Sequence, residues 1–129
     1  MLIIIIIIII IITIGGDFPS RKAVLDAMHQ GCIPVVFNKY TAHFQMTWFW
    51  DYKNIDPDDC LIYIDYHLVM TNVSSIFDQL IVMTKDRNFI NSKLNCISSI
   101  RNYVQYNVPF NDVKDIDAVD IIINKLLSK

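Results

Sequence analysis

The chain has 129 residues, of which 53% are hydrophobic and 19% charged, and its formal net charge is −2. That length holds one domain with a sizeable core, and a charge this near zero leaves no basic footprint for nucleic acid. Much of the apolar excess is a single run, Ile3 to Ile12, so the remainder has an ordinary globular composition.

The run comes first in the chain. Met1 to Ile14 contains one Thr and no basic residue. A spanning helix needs about 20 apolar residues, and a signal peptide opens on a positive n-region. Consecutive β-branched residues favour a strand over a helix. The expectation is a core strand within residues 2 to 12, with a membrane-inserted or signal segment as the alternative. Residues 1–14 are thus read as a low-complexity run supplying the first strand, and residues 15–129 as the body of the domain.

Gly15 and Gly16 then open a loop. Ser20 is a good N-cap, because its hydroxyl accepts from an otherwise unpaired amide of the first turn. A helix is expected over about 20 to 30, closed by Gly31, and Ile33 to Phe37 has the look of a buried strand. Asn38 to Asp59 is polar and aromatic with no steady period, and reads as a long irregular loop. A strand is expected at about 60 to 65. Ser74 or Ser75 caps a helix to about 84, with Ile76, Leu80 and Met83 on one face. Asp86 or Asn88 opens a long helix carrying Phe89, Leu94, Ile97, Ile100 and Val104, and Pro109 ends that region. A last helix runs from about Asp115 to Leu127, with Ile116, Val119, Ile122, Ile123 and Leu126 inward. The alternation predicts an α/β fold with a parallel sheet and flanking helices.

In such a sheet, ligands sit beyond the carboxyl ends of the strands, at loops leading into helices. Gly15-Gly16-Asp17-Phe18-Pro19-Ser20-Arg21 is a loop of this kind. Its glycines let backbone approach a ligand, and Ser20 and Arg21 offer donors to an anion that the helix start also favours. The plainer reading is a turn, a cap and a surface charge. Asp17 alternatively caps the turn through an Asx bond. Asp26 follows Arg21 by five residues, about 140° around a helix, and its plainer role is a solvated face.

Three scattered cysteines, Cys32, Cys60 and Cys96, contain no Cys-x-x-Cys pair. Cys32 and Cys60 adjoin apolar runs and are expected as buried small hydrophobes rather than disulfide partners. His29, His43 and His67 have no metal spacing, and His29 belongs near a helix C-terminus. Tyr40, Phe44, Trp48, Phe49, Trp50 and Tyr52 are read as core or lobe contacts, with stacking on a base or sugar as the alternative. Asn72-Val73-Ser74 is a glycosylation sequon of the short kind that also arises by chance.

Gly16-Asp17-Phe18-Pro19-Ser20-Arg21, Asp26-Ala27 and Gly31-Cys32-Ile33-Pro34-Val35 together resemble the C-terminal half of exostosin-type glycosyltransferases. The plant xyloglucan galactosyltransferase branch looks nearest. Tyr40-Thr41 with Thr47-Trp48, Cys60 to Ile64 and Asp117 to Ile122 extend the likeness in order, over about residues 15 to 128. The resemblance implies a single Rossmann-like lobe, the donor half of a two-lobed GT-B enzyme, performing inverting transfer from a UDP-sugar to a glycan hydroxyl. It assigns donor binding to Gly16, Asp17, Ser20 and Arg21, with Ser20 and Arg21 stabilising the UDP leaving group. Asp26 would hold the ribose. No metal or other cofactor is implied beyond the UDP-sugar substrate, and a Golgi or secretory-lumen location is. The glycan acceptor and the general base would belong to a missing N-terminal lobe, so the chain alone is expected to be inactive. The rival from another class is a non-catalytic α/β binding module derived from such an enzyme.

Overall fold

A computed structural model of the protein describes residues 10–13, 22–45, 50–51, 53–104 and 118–128. In chain order the elements are β1 (Ile10–Thr13), α1 (Lys22–His29), β2 (Ile33–Val36), α2 (Lys39–Gln45), α3 (Pro57–Cys60), β3 (Ile62–Tyr63), α4 (Tyr66–Thr71), α5 (Val73–Lys85) and α6 (Arg87–Ile100). A 3-10 turn (Arg101–Val104) and α7 (Ala118–Leu127) complete the order. The result is a mostly helical α/β fold around one small parallel sheet, ordered β1-β2-β3.

The isoleucine run enters this sheet. Ile10 pairs with Ile33 and Thr13 with Val36, in parallel. β2 is therefore central, and all four of its residues are buried. A strand enclosed on both faces tolerates a continuous apolar sequence, which Ile33-Pro34-Val35-Val36 supplies. Proline in a central strand normally removes a ladder bond. Here Ile64 N–H donates to Val36 O at 3.0 Å, so Val36 faces β3. Backbone groups of alternate residues point the same way, so Pro34 faces β3 too. Pairing with β3 begins only at Val35–Ile62. A longer ladder would need a donor at 34 against residue 60, which is the last residue of α3. The missing N–H therefore costs no bond, and the same place limits β3.

α1 lays Val24, Ala27 and Met28 inward, the i, i+3, i+4 spacing of one helical face. It ends in a Schellman motif. Gly31 N–H donates to Met28 O at 3.0 Å and Cys32 N–H to Ala27 O at 2.8 Å. Gly31 takes φ +74°, the left-handed conformation that glycine adopts without a Cβ penalty. The helix stop expected at Gly31 is thus made by geometry that only glycine enters freely.

Several expectations need correction. The 38–59 segment is not one irregular loop. Asn38 Oδ1 accepts from Tyr40 N–H at 2.9 Å and starts α2, and Asp56 caps α3 by accepting from Asp58 N–H, with Pro57 in its first turn. Pro at that position loses only an orphan donor. The strand expected at 60–65 is two residues long, because Cys60 still belongs to α3 and Asp65 already caps α4, accepting from His67 N–H at 2.8 Å. The last helix buries Ala118 and Ile121. Val119, Ile123 and Leu126, expected inward, are exposed.

A further correction concerns cysteine. Cys60 and Cys96 form a disulfide, with Cα atoms 5.2 Å apart. Cys60 is buried as expected, but as half of a bridge that joins α3 to α6. Lys93 Nζ reaches across the same junction to donate to Asp58 O. Closing a 36-residue separation removes unfolded-state freedom worth about 4 kcal/mol in the loop-entropy picture. α5 buries Ile76 and Leu80 as expected, but it begins at Val73 and is capped by Asn72 rather than by Ser74 or Ser75. α6 buries the expected Ile97 and Ile100 together with Ile90, which lay outside the expected stripe, while Phe89 and Leu94 are half-buried. Asp86 caps α6 by accepting from Asn88 and Phe89 N–H groups.

Candidate functional site

The three strands run parallel, so their carboxyl ends share one edge of the sheet. β1 ends at Thr13 and α1 begins at Lys22. Gly16, Asp17, Ser20 and Arg21 fall between them, outside the described residues. Their assignment rests on the sequence.

Asp26 is described. It sits about 200° around α1 from both Val24 and Met28, so burial of those two turns it to solvent. Its carboxylate accepts from Lys22 Nζ at 2.9 and 3.0 Å, with side chains 85% exposed for Lys22 and 57% for Asp26. An exposed i, i+4 pair of this kind is worth about 0.3–0.5 kcal/mol. It does not hold Asp26 against a better partner. α1 has no acid in its first turn, so no carboxylate there competes for an anion at its amino end. His29 lies in the last turn of α1 and is half-buried.

A cation that the sequence did not single out stands at the same edge. Lys39 comes shortly after β2, and its ammonium lies 5.2 Å from the ring centroid of Tyr63, the last residue of β3. The contact joins the ends of two parallel strands. The only hint in sequence is a lysine just past a strand and beside an Asn cap.

The aromatic segment divides. Trp50 is buried and Tyr40 exposed; Trp48, Phe49 and Tyr52 lie outside the described residues. Trp50 helps line an open cleft of about 430 Å³ with His43, Asp51, Asn54, Ile55, Asp56 and Pro57. Its two carboxylates have structural employment: Asp51 pairs with Lys125 at 3.0 Å, and Asp56 caps α3. Asn54 sits at φ 51°, a left-handed position that asparagine tolerates better than most side chains.

Comparisons with known proteins give two short likenesses. Over 33 residues the chain is 52% identical to "Xyloglucan-specific galacturonosyltransferase 1" of Arabidopsis thaliana, a stretch that covers 26% of this chain and 5% of that protein. Over 33 residues it is 48% identical to "Probable xyloglucan galactosyltransferase GT20" of the same plant, covering 26% of this chain and 6% of that protein. These similarities support a relationship to plant glycosyltransferases, over a small part of their length. No protein-family model matches the chain, and no solved structure does. Among the described residues, no helix is long and apolar enough to cross a membrane.

Proposed function

We propose that this chain is a donor-binding part of an exostosin-type glycosyltransferase, taking a UDP-sugar at the carboxyl edge of its parallel sheet. The observation that carries the reading is the β1–α1–β2 unit: a parallel pair whose crossover passes through Gly15 to Arg21 into the amino end of a helix. Units of this kind hold a diphosphate on the free amides of the helix start. The short similarity to two glycosyltransferases supports the same chemistry.

The roles derive from charge. Gly16 lets backbone approach the phosphates, and Asp17 shapes the turn. Ser20 and Arg21 donate to the diphosphate and stabilise it as negative charge grows during departure of UDP. Lys39 adds positive charge to that edge. Asp26 exchanges its weak pairing with Lys22 for the two ribose hydroxyls. The sugar passes to a glycan hydroxyl with inversion, and no metal or other cofactor enters. The Cys60–Cys96 bridge suits a secretory-lumen location, since disulfides persist where thiols are kept oxidised.

Calorimetry on the full, oxidised chain tests the reading. UDP is expected to bind more tightly than uridine, because the diphosphate supplies the charge-assisted contacts. Equal affinities, or no binding of either, would overturn it and leave a non-catalytic module.

A further inference from the structure

We propose that Asn72 carries an N-linked glycan that covers exposed apolar side chains on either side of the α4–α5 junction. This inference stands apart from the donor-site reading. It begins from the sequon Asn72-Val73-Ser74, the one Asn-x-Ser/Thr triplet in a chain with ten asparagines. The fold places this triplet at the junction of α4 and α5, where Thr71, Asn72, Val73 and Ser74 are all exposed.

The junction uses only one side of the Asn72 amide. Its Oδ1 accepts from Ser75 N–H at 3.2 Å and so caps α5. Its backbone N–H donates to Leu68 O at 2.8 Å and ends α4. Among the described residues, Nδ2 donates to no acceptor. A glycan needs Nδ2 alone, and the modified nitrogen keeps one hydrogen. Cap and modification are therefore compatible.

A second, independent observation sets the compartment. The Cys60–Cys96 bridge belongs to an oxidising environment such as the secretory lumen, where sequons are modified. A third gives the glycan a task. Met70 and Val73 flank Asn72 and are 69% and 52% exposed. Tyr66 and Phe77, one helical turn further on each side, are 54% and 55% exposed. Exposed apolar residues on both helices that meet at Asn72 invite association unless something covers them. A bulky, solvated oligosaccharide on the central residue does so.

The modification is a glycosyl transfer from an oligosaccharide held on a lipid diphosphate. A bond forms between Nδ2 and the anomeric carbon. The anomeric C–O bond to phosphate breaks, and its electron pair leaves with the lipid diphosphate. One Nδ2 proton passes to a base of the transferring enzyme, and nothing is oxidised or reduced.

The test expresses the full chain behind a cleavable signal peptide in a eukaryotic cell. Loss of that peptide marks the molecules that entered the lumen. Those molecules are expected to show a single mobility step that peptide-N-glycosidase removes, mapped by mass spectrometry to Asn72. Asn72→Gln and Ser74→Ala abolish the step, whereas Ser74→Thr keeps it. Ser74→Ala leaves the Asn72 cap in place, so it separates the glycan from the fold. The same variant is expected to bind more of a hydrophobic dye than the glycosylated chain. Signal-cleaved chain with unmodified Asn72 would overturn the site, and equal dye binding would overturn its covering role.

Discussion

The β1–α1–β2 unit and the α3–α6 pair both build on the same small sheet, but different forces hold them. In the first, local signals dominate: a β-branched run, a helix with one apolar face, and a Schellman stop at Gly31. In the second, a covalent link across 36 residues and the Lys93–Asp58 contact join elements that have little local reason to meet. The proposed chemistry sits mainly in the first region, at its loop. The second adds a covalent tie to a buried cluster that runs through both regions, from Val24, Met28 and Ile33 to Cys60, Ile97 and Ile100. The contrast predicts that binding at the proposed loop and the stability added by the bridge are separable, so that a substitution at one should leave the other largely untouched.

The largest test of that separation is the bridge. Replacing Cys60 and Cys96 with Ser is expected to cost about 4 kcal/mol, a large share of the roughly 5–15 kcal/mol that holds a domain of ordinary stability. Urea midpoints of the oxidised and doubly substituted chains measure it. The folded fraction should bind UDP with unchanged affinity. A parallel loss of affinity would show that the two regions are coupled.

Next comes the converse substitution. Arg21→Ala is expected to weaken UDP by about 1.5–3 kcal/mol, the worth of a hydrogen bond to a charged group, with uridine affinity and the urea midpoint little changed. Calorimetry with both ligands decides it. A variant that unfolds while its remaining folded fraction keeps UDP affinity would place Arg21 in the core instead.

Gly31→Ala probes the first region's own stability. Nothing lies within 4 Å of a Cβ built there, so sterics add nothing. The cost is that of a left-handed backbone, about 1–2 kcal/mol, read from thermal or urea unfolding. A neutral result would mean that the helix end re-forms without its Schellman bonds.

The smallest effect is expected at the Lys22–Asp26 pair. Lys22→Ala should lower stability by no more than about 0.5 kcal/mol. Asp26→Asn should lower affinity for UDP and for uridine alike, since both carry the ribose. An Asp26→Asn effect on UDP alone would move Asp26 from the sugar to the phosphates.

How much of this was legible in the sequence depended on the range of each signal. The α1 helix, its Gly31 end, the β2 strand and the Asp86 cap of α6 are local events, set by neighbours within a few residues, and they were readable. Asn38 and Asp56-Pro57 carried local cap chemistry too. The lack of a steady apolar period in 38–59 outweighed it, so short helices read as loop. Gly16 to Arg21 were legible only as chemistry, since a glycine, a hydroxyl and a guanidinium suggest a class of ligand without placing it. α7 shows the limit of periodicity: Val119, Ile122, Ile123 and Leu126 make one apolar face and Ala118 with Ile121 another, and sequence does not rank them. Packing against the rest of the chain chose Ala118 and Ile121.

The sequence by itself determined the stop of α1 at Gly31, the cap of α6 at Asp86 and which strand is apolar enough to lie centrally, because caps, glycine stops and an apolar run are properties of a few adjacent residues. Tertiary structure alone decided that Cys60 meets Cys96 and that Lys39 lies over Tyr63. Each of these depends on a distance between residues or surfaces that the order of the letters does not encode.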